Sequence, residues 1–274
     1  MTDSTFEDGA TPRPPDVVDH VEERRTRLYR VTAIVLRRRD LGEADRLLTI
    51  FTREQGRIRV VAKGARRSSS RSSGHLEPFG LSRLLIARTR GLDIISQAES
   101  IAQFPRLRES EVAIATAGYI AELLDTLVPE HEAHPAIFDG TRAALELLDA
   151  GSDALLVRLA QQLGMLRALG YHPRLTNCLQ CGRDIQPGGN AFAPDGGVVC
   201  VHCALSRPDA WRLDDAALKV LRVIDRGEVL NLFRLRLPPD AIHSAAVTIE
   251  RYTDSIIGYR SRAQEVIGQL GLER

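Results

Sequence analysis

The sequence predicts an α+β protein in which a small β-barrel precedes an all-helical domain with an embedded four-cysteine zinc finger. Three observations carry that prediction. Five short segments rich in Val, Ile and Leu fall within about 70 residues near the start of the chain, joined by short connections that hold glycines. From Leu107 onward the apolar spacing changes to steps of three and four, the period of a helix face. Two C-x-x-C pairs, Cys178–Cys181 and Cys200–Cys203, are separated by 18 residues.

Taken in chain order, Met1 to Glu23 carries seven acids against Arg13, three prolines and few large apolar side chains. Such a stretch cannot bury enough surface to offset the entropy of ordering it, so residues 1–27 are expected to be a disordered acidic tail. The strand-like segments are Arg30–Leu36, Arg46–Phe51, Gly56–Ala62, Gly80–Ala87 and Leu92–Ala98, within a barrel domain spanning 28–104. The break from Ala65 to Phe79 sets Arg66, Arg67 and Arg71 among serines and a glycine, a flexible cationic loop.

Helical spacing fills 105–274. Val112, Tyr119, Leu123 and Leu127 mark one helix that Pro129 should end, and Ala136–Leu148 marks another with Gly151 beyond it. Leu156, Leu159, Leu163 and Leu166 mark a third. Asp214 is a plausible N-cap for Ala216–Asp225. The stripe Ile242, Ala245, Ile249, Tyr252, Ile256 and Tyr259 marks the last, and all these stripes are packing surfaces without assigned chemistry.

The four cysteines are the chain's whole complement, and their spacing is that of a structural zinc site at about residues 176–206. Each C-x-x-C turn brings two thiolates to one ion, and two such knuckles complete a tetrahedron with no open position for a reacting water. Pro187-Gly-Gly and Pro194-Asp-Gly-Gly let the intervening stretch fold back as a hairpin. Two disulfides compete with this reading but suit an oxidising compartment, and a redox pair would need one C-x-x-C at a strand-to-helix junction. His202 is a rival donor, although four cysteines already fill the site.

Charge placement supplies the second functional clue. The total of +1 hides a block, residues 24–90, with 18 Lys+Arg against 5 acids, followed by residues 91–175 with 6 against 12. Arginine dominates everywhere, with Lys63 and Lys219 the only lysines; a GC-rich genome accounts for that, so only placement informs. Arg37, Arg38 and Arg39 end the first strand, Arg57, Arg59 and Lys63 share one parity along the third, and Arg66, Arg67 and Arg71 follow in the loop. Such a surface attracts a phosphate backbone. Aromatics are scarce in the block (Tyr29, Phe51, Phe79), so base stacking should matter less than phosphate contact, with weak sequence preference and steep salt dependence.

No enzyme is expected. His131 and His134 are spaced by three rather than four, Asn177 stands where a deaminase needs proline, and neither a Walker loop nor a G-x-S-x-G elbow occurs. No apolar run approaches the ~20 residues of a membrane span, and the acidic start is no signal peptide, so a cytoplasmic protein is expected.

The run from Gly42 to Arg67, with Thr52-x-x-x-Gly56 and Ala62-Lys-Gly-Ala-Arg66, resembles the N-terminal signature of the RecO family, and the order of barrel, helices and cysteine pairs extends the likeness over about residues 28 to 265. The resemblance implies an OB-fold followed by a helical domain with a zinc finger. It implies a mediator of DNA repair and homologous recombination that binds single- and double-stranded DNA and anneals complementary strands. Implied partners are RecR, the acidic C-terminal tail of single-stranded-DNA-binding protein and, indirectly, the RecA recombinase, in a nucleoid-associated location. By this likeness Arg39, Arg57, Arg59, Lys63, Arg66 and Arg67 are the expected DNA contacts. The acidic tail departs from the family pattern and could compete with DNA for the basic face. A zinc-ribbon transcription or RNA-binding adaptor is the alternative. It calls for a basic knuckle, whereas here Arg183 stands against Asp184 and Asp195.

Overall fold

Strand β1 (Leu28–Leu41) is long because it serves two neighbours: Leu28–Ile34 pairs with β4 (Leu81–Ala87), and Ala33–Leu41 pairs with β2 (Asp45–Thr52). With β3 (Gly56–Ala62) and β5 (Asp93–Ala102) these strands close into a barrel of order β1-β2-β3-β5-β4, antiparallel except for β3–β5. All five expected strands are present, and the closure is the five-stranded OB type. Val31, Val35, Leu48, Ile50, Ile58, Val60, Leu84 and Ile86 fill the barrel. The computed structural model describes residues 28–67, 73–226 and 236–269; the acidic tail and Arg71 lie outside the described residues.

A β-bulge decides which way the arginine run points. Val35 pairs with Ile50 but Arg37 pairs with Thr49, so Leu36 is an extra residue on β1. Val35 and Ile50 face the barrel interior, whereas Leu36 packs outward with the helical domain. Beyond the bulge Arg37 and Arg39 point outward, and Arg38, opposite Leu48, takes the inward parity.

The helices are α1 (Glu111–Leu127), α2 (Pro135–Asp149), α3 (Ala154–Ala168), α4 (Val201–Ala204), α5 (Asp215–Asp225), α6 (Pro239–Ile257) and α7 (Arg262–Gln269). Ser110 and Asp153 cap α1 and α3 by accepting from the amides of Ala113 and Leu156. Asp214 occupies the N-cap position of α5, but its side chain makes no capping bond and instead accepts from Ser244 Oγ at 3.2 Å. The expected C-terminal stripe is cut short. Gly258 ends α6 at φ +79°, which puts Tyr259 past the helix and out of the core, its hydroxyl 3.1 Å from Thr126 Oγ1.

Barrel and helices share a core. Ile34, Leu36, Phe51 and Leu81 on the barrel's outer side pack with Tyr119, Leu124 and Phe138, and the Phe51 and Phe138 rings lie 5.8 Å apart. Next to this seam the 128–134 loop is pinned to β3: His131 N donates to Arg57 O at 3.0 Å. Gly56 makes the approach feasible. It sits at φ +68°, and a Cβ there would lie 1.8 Å from the carbonyl oxygen of Glu132. A Gly56→Ala variant is expected to be less stable by at least about 1–3 kcal/mol from the backbone conformation alone, read as a lowered denaturation midpoint. An unchanged midpoint would show that the loop is not tightly seated.

A second core unites α3, α5, α6 and the cysteine region through Leu159, Leu163, Phe192, Val198, Leu221 and Ile249. Between α3 and α6 lies a buried ion pair, Arg158 Nη2 to Glu250 Oε1 at 2.5 Å. Arg158 also lies over the Tyr119 ring, whose hydroxyl accepts from Gln162 Nε2 at 3.0 Å. Gln162 Nε2 bonds Thr253 Oγ1 at 2.6 Å as well.

Candidate nucleic-acid face and metal centre

Cys178 and Cys181 stand on a turn closed by Gly182 N donating to Cys178 O at 2.9 Å, with Gly182 in the left-handed conformation. Cys200 and Cys203 flank the start of α4, directly after the hairpin of β6 (Ala191–Ala193) and β7 (Gly197–Val199) that the Pro-Asp-Gly-Gly turn predicts. Pairing of β8 (Trp211–Arg212) with β6 completes a small sheet of order β7-β6-β8. The four sulfurs lie within 4.8 Å of one another, and Cys181 and Cys200 are 3.9 Å apart. A tetrahedron of Zn–S bonds near 2.3 Å has edges of about 3.8 Å. All four thiols are free rather than disulfide-bonded, and His202 stands outside the cluster, exposed.

The surroundings favour thiolate at the first knuckle. Arg183 Nε donates to Cys181 Sγ at 3.4 Å, and this bond, with the Arg183 amide, holds the Cys181 thiol down at about 6. Burial pushes the Cys178 thiol up, but the amides of Cys181, Cys200 and Gln180 together outweigh it and leave it lowered. Cys203 moves the other way, raised by desolvation and by the sulfurs beside it. Four crowded sulfurs cannot all ionise without a counter-charge, and that donor set fits one soft divalent metal ion.

On the barrel, cross-strand register assembles a cationic face. Arg37, Thr49 and Arg59 form one row across β1, β2 and β3, and Arg39, Leu47 and Val61 form the next, on the same outer side. Lys63 follows one alternation beyond Val61. Arg38 is excluded from this face and pairs with Glu77 at the barrel's end. The turn carrying Lys63 to Arg67 is tied to the β1–β2 turn. Asp45 Oδ1 accepts from Gly64 N at 2.7 Å, Ala44 O accepts from Arg66 N at 2.9 Å, and Gly42 O accepts from Arg66 Nη1 at 3.1 Å. The two halves of the 42–67 run are therefore in contact, although nearly twenty residues separate them. Arg66 also reaches Asp40 at 3.4 Å.

Sequence reasoning did not foresee the carboxylates facing these cations. Asp125 Oδ2 lies 3.0 Å from Arg37 Nη2 and Asp125 Oδ1 2.9 Å from Arg57 Nη1. Glu130 Oε1 takes both Arg57 Nη1 at 3.2 Å and Arg59 Nε at 3.3 Å. Arg57 Nε further donates to Val128 O at 3.1 Å, and its side chain is only 16% exposed. Arg53, not singled out from the sequence, makes two bonds to Asp139 at 3.2 Å. The available signal was the acid surplus of residues 91–175, which is partly the counterpart of the basic block. Arg39, Lys63 and Arg67 pair with no carboxylate among the described residues and are exposed.

Comparison with known proteins agrees with this architecture. A family model described as "Recombination protein O N terminal" matches residues 26–104, and one described as "Recombination protein O C terminal" matches residues 108–262. Proteins named "DNA repair protein RecO" align along most of the chain. That of Roseiflexus sp. (strain RS-1) is 41% identical over 216 residues, covering 78% of this chain and 76% of the relative. That of Pelotomaculum thermopropionicum is 39% identical over 212 residues, with 77% and 82% covered. That of Desulforamulus reducens is 31% identical over 245 residues, with 89% and 95% covered. With both halves matched and relatives at this level of identity, the chain belongs to the RecO family.

Proposed function

We propose that this protein is a non-enzymatic mediator of DNA repair and recombination that grips single- and double-stranded DNA by its sugar-phosphate backbone and promotes annealing of complementary strands. The observation that carries the reading is the set of outward cations on β1 and β3, Arg37, Arg39 and Arg59, continued by the Lys63–Arg67 turn. Two strands repel each other, and a cationic surface that holds both lowers the barrier to pairing. The sites proposed for DNA contact are Arg39, Lys63, Arg66 and Arg67, with Arg37 and Arg59 at the edge of the face; Arg71, outside the described residues, is proposed from the sequence alone. Arg57, held by two carboxylates and a carbonyl, acts chiefly as a tether between barrel and helices.

The same reading divides the chain into an OB domain at 28–104 and a helical domain at 105–274 with a zinc finger at about 176–206. The zinc is structural. RecR, the acidic tail of single-stranded-DNA-binding protein and, indirectly, RecA are the partners that family membership implies. No helix among the described residues is long and apolar enough to cross a membrane.

Reversing Arg39, Lys63 and Arg67 together to glutamate tests the proposal. Affinity for an oligonucleotide is expected to fall at least about tenfold at low salt for every sequence tried, and the salt slope to flatten by about 2, near 0.7 for each phosphate no longer neutralised. Annealing of complementary oligonucleotides should slow in parallel. Unchanged affinity and slope would refute the placement, and loss of binding to one sequence alone would refute backbone recognition.

A further inference from the structure

Arg37, Asp125, Arg57, Glu130 and Arg59 form an alternating chain of three cations and two carboxylates, running from the domain seam onto the basic face. Its middle and its ends differ. The middle, Asp125 with Arg57, is largely buried and reinforced by the Val128 carbonyl, whereas Arg37 at one end is exposed. The other end is open to solvent: Arg59 is 49% and Glu130 35% exposed, at 3.3 Å. A carboxylate bonded to a guanidinium offers oxygens in the place that a phosphate's would take.

We propose that Glu130 is an internal phosphate mimic, occupying Arg59 in the unliganded protein and yielding it to the backbone of a bound strand, so that it sets how tightly the basic face grips DNA. The inference rests on the nucleic-acid reading of the barrel. The backbone around Glu130 stays in place without its side chain, because His131 N bonds Arg57 O and residues 57 and 130 form a backbone bridge. The carboxylate can therefore exchange partners without unseating the loop. An exposed pair of this kind is weak enough to exchange, since its net contribution is small. Arg59 is also well placed to meet a strand. It shares its outer row with Arg37, across Thr49.

Three full-length proteins decide the matter: wild type, Glu130→Gln, and Glu130→Gln with Arg59→Gln. Each is titrated with one single-stranded oligonucleotide over a range of salt, alongside thermal melts. Glu130→Gln is expected to bind about threefold tighter at low salt, the scale of one exposed ion pair, with a salt slope steeper by up to about 0.7. The melting temperature should fall only slightly, because Asp125 and the Val128 carbonyl still hold Arg57 once Glu130 is neutral, and the double variant should lose the gain. Glu130→Gln binding equal to or weaker than wild type, or a gain that persists without Arg59, overturns the inference. Wild type that fails to bind the oligonucleotide at all would instead refute the nucleic-acid reading.

Discussion

A Cys178→Ser variant is expected to lose bound metal and, with it, the cooperative folding of the region around residues 176–206. Cys178 is fully buried and packs in the same core as Phe192, Val198 and Leu218, so a metal held there also anchors the hairpin to α3 and α5. Structural zinc sites supply apparent binding free energies of roughly 10–16 kcal/mol in small zinc domains, against a total stability of roughly 5–15 kcal/mol for a typical domain. Removing a quarter of the donor set therefore threatens the fold locally or globally. Metal analysis on the purified protein should give about one zinc per chain for wild type and far less for the variant, with a lower melting temperature. Chelation of wild type should reproduce the change, and acidification should release metal because protons compete for the thiolates. Cys181→Ser, at the exposed corner, should weaken metal binding while disturbing the core less. Wild-type protein without zinc, or a serine variant with unaltered melting, would remove the structural role.

Arg158→Ala should destabilise the protein by about 3–5 kcal/mol, because it takes a buried guanidinium away from the Glu250 carboxylate in the helical core. Both side chains are nearly inaccessible, at 6% and 8%. The substitution also removes the guanidinium from the Tyr119 face. The stability of the pair is judged against a different reference when both members are replaced by apolar residues of similar volume. Arg158→Met with Glu250→Leu is therefore expected to recover most of the loss. Denaturant unfolding of the three proteins reads this directly, and a single variant as stable as wild type would show that the pair contributes nothing.

Much of the architecture is legible from residue order. Strand positions are written in the Val/Ile/Leu runs and their glycines, although β1 and β5 run past their expected ends to Leu41 and Ala102, and α1 stops at Leu127, shortly before Pro129. The four thiols can be assigned to one site because a C-x-x-C turn has few ways to present two sulfurs to a single ion. Parity along β3 places Arg57, Arg59 and Lys63 on one side. Tyr259 escapes such reading: the three-and-four spacing runs on past Gly258, whose left-handed backbone outweighs the pattern.

By itself the sequence determined local matters: which segments extend, which coil, which four sulfurs gather at one place, and that positive charge concentrates between residues 24 and 90. Tertiary structure alone decided which of those charges are available. The bulge at Leu36 turned Arg37 and Arg39 outward and Arg38 toward Glu77. Docking of the barrel on α1 brought Asp125 and Glu130 against Arg37, Arg57 and Arg59 from about 70 to 90 residues away. Strand propensity depends on neighbours along the chain, whereas the state of a charge depends on what the fold carries to within a few ångströms of it, and no local pattern encodes that distance.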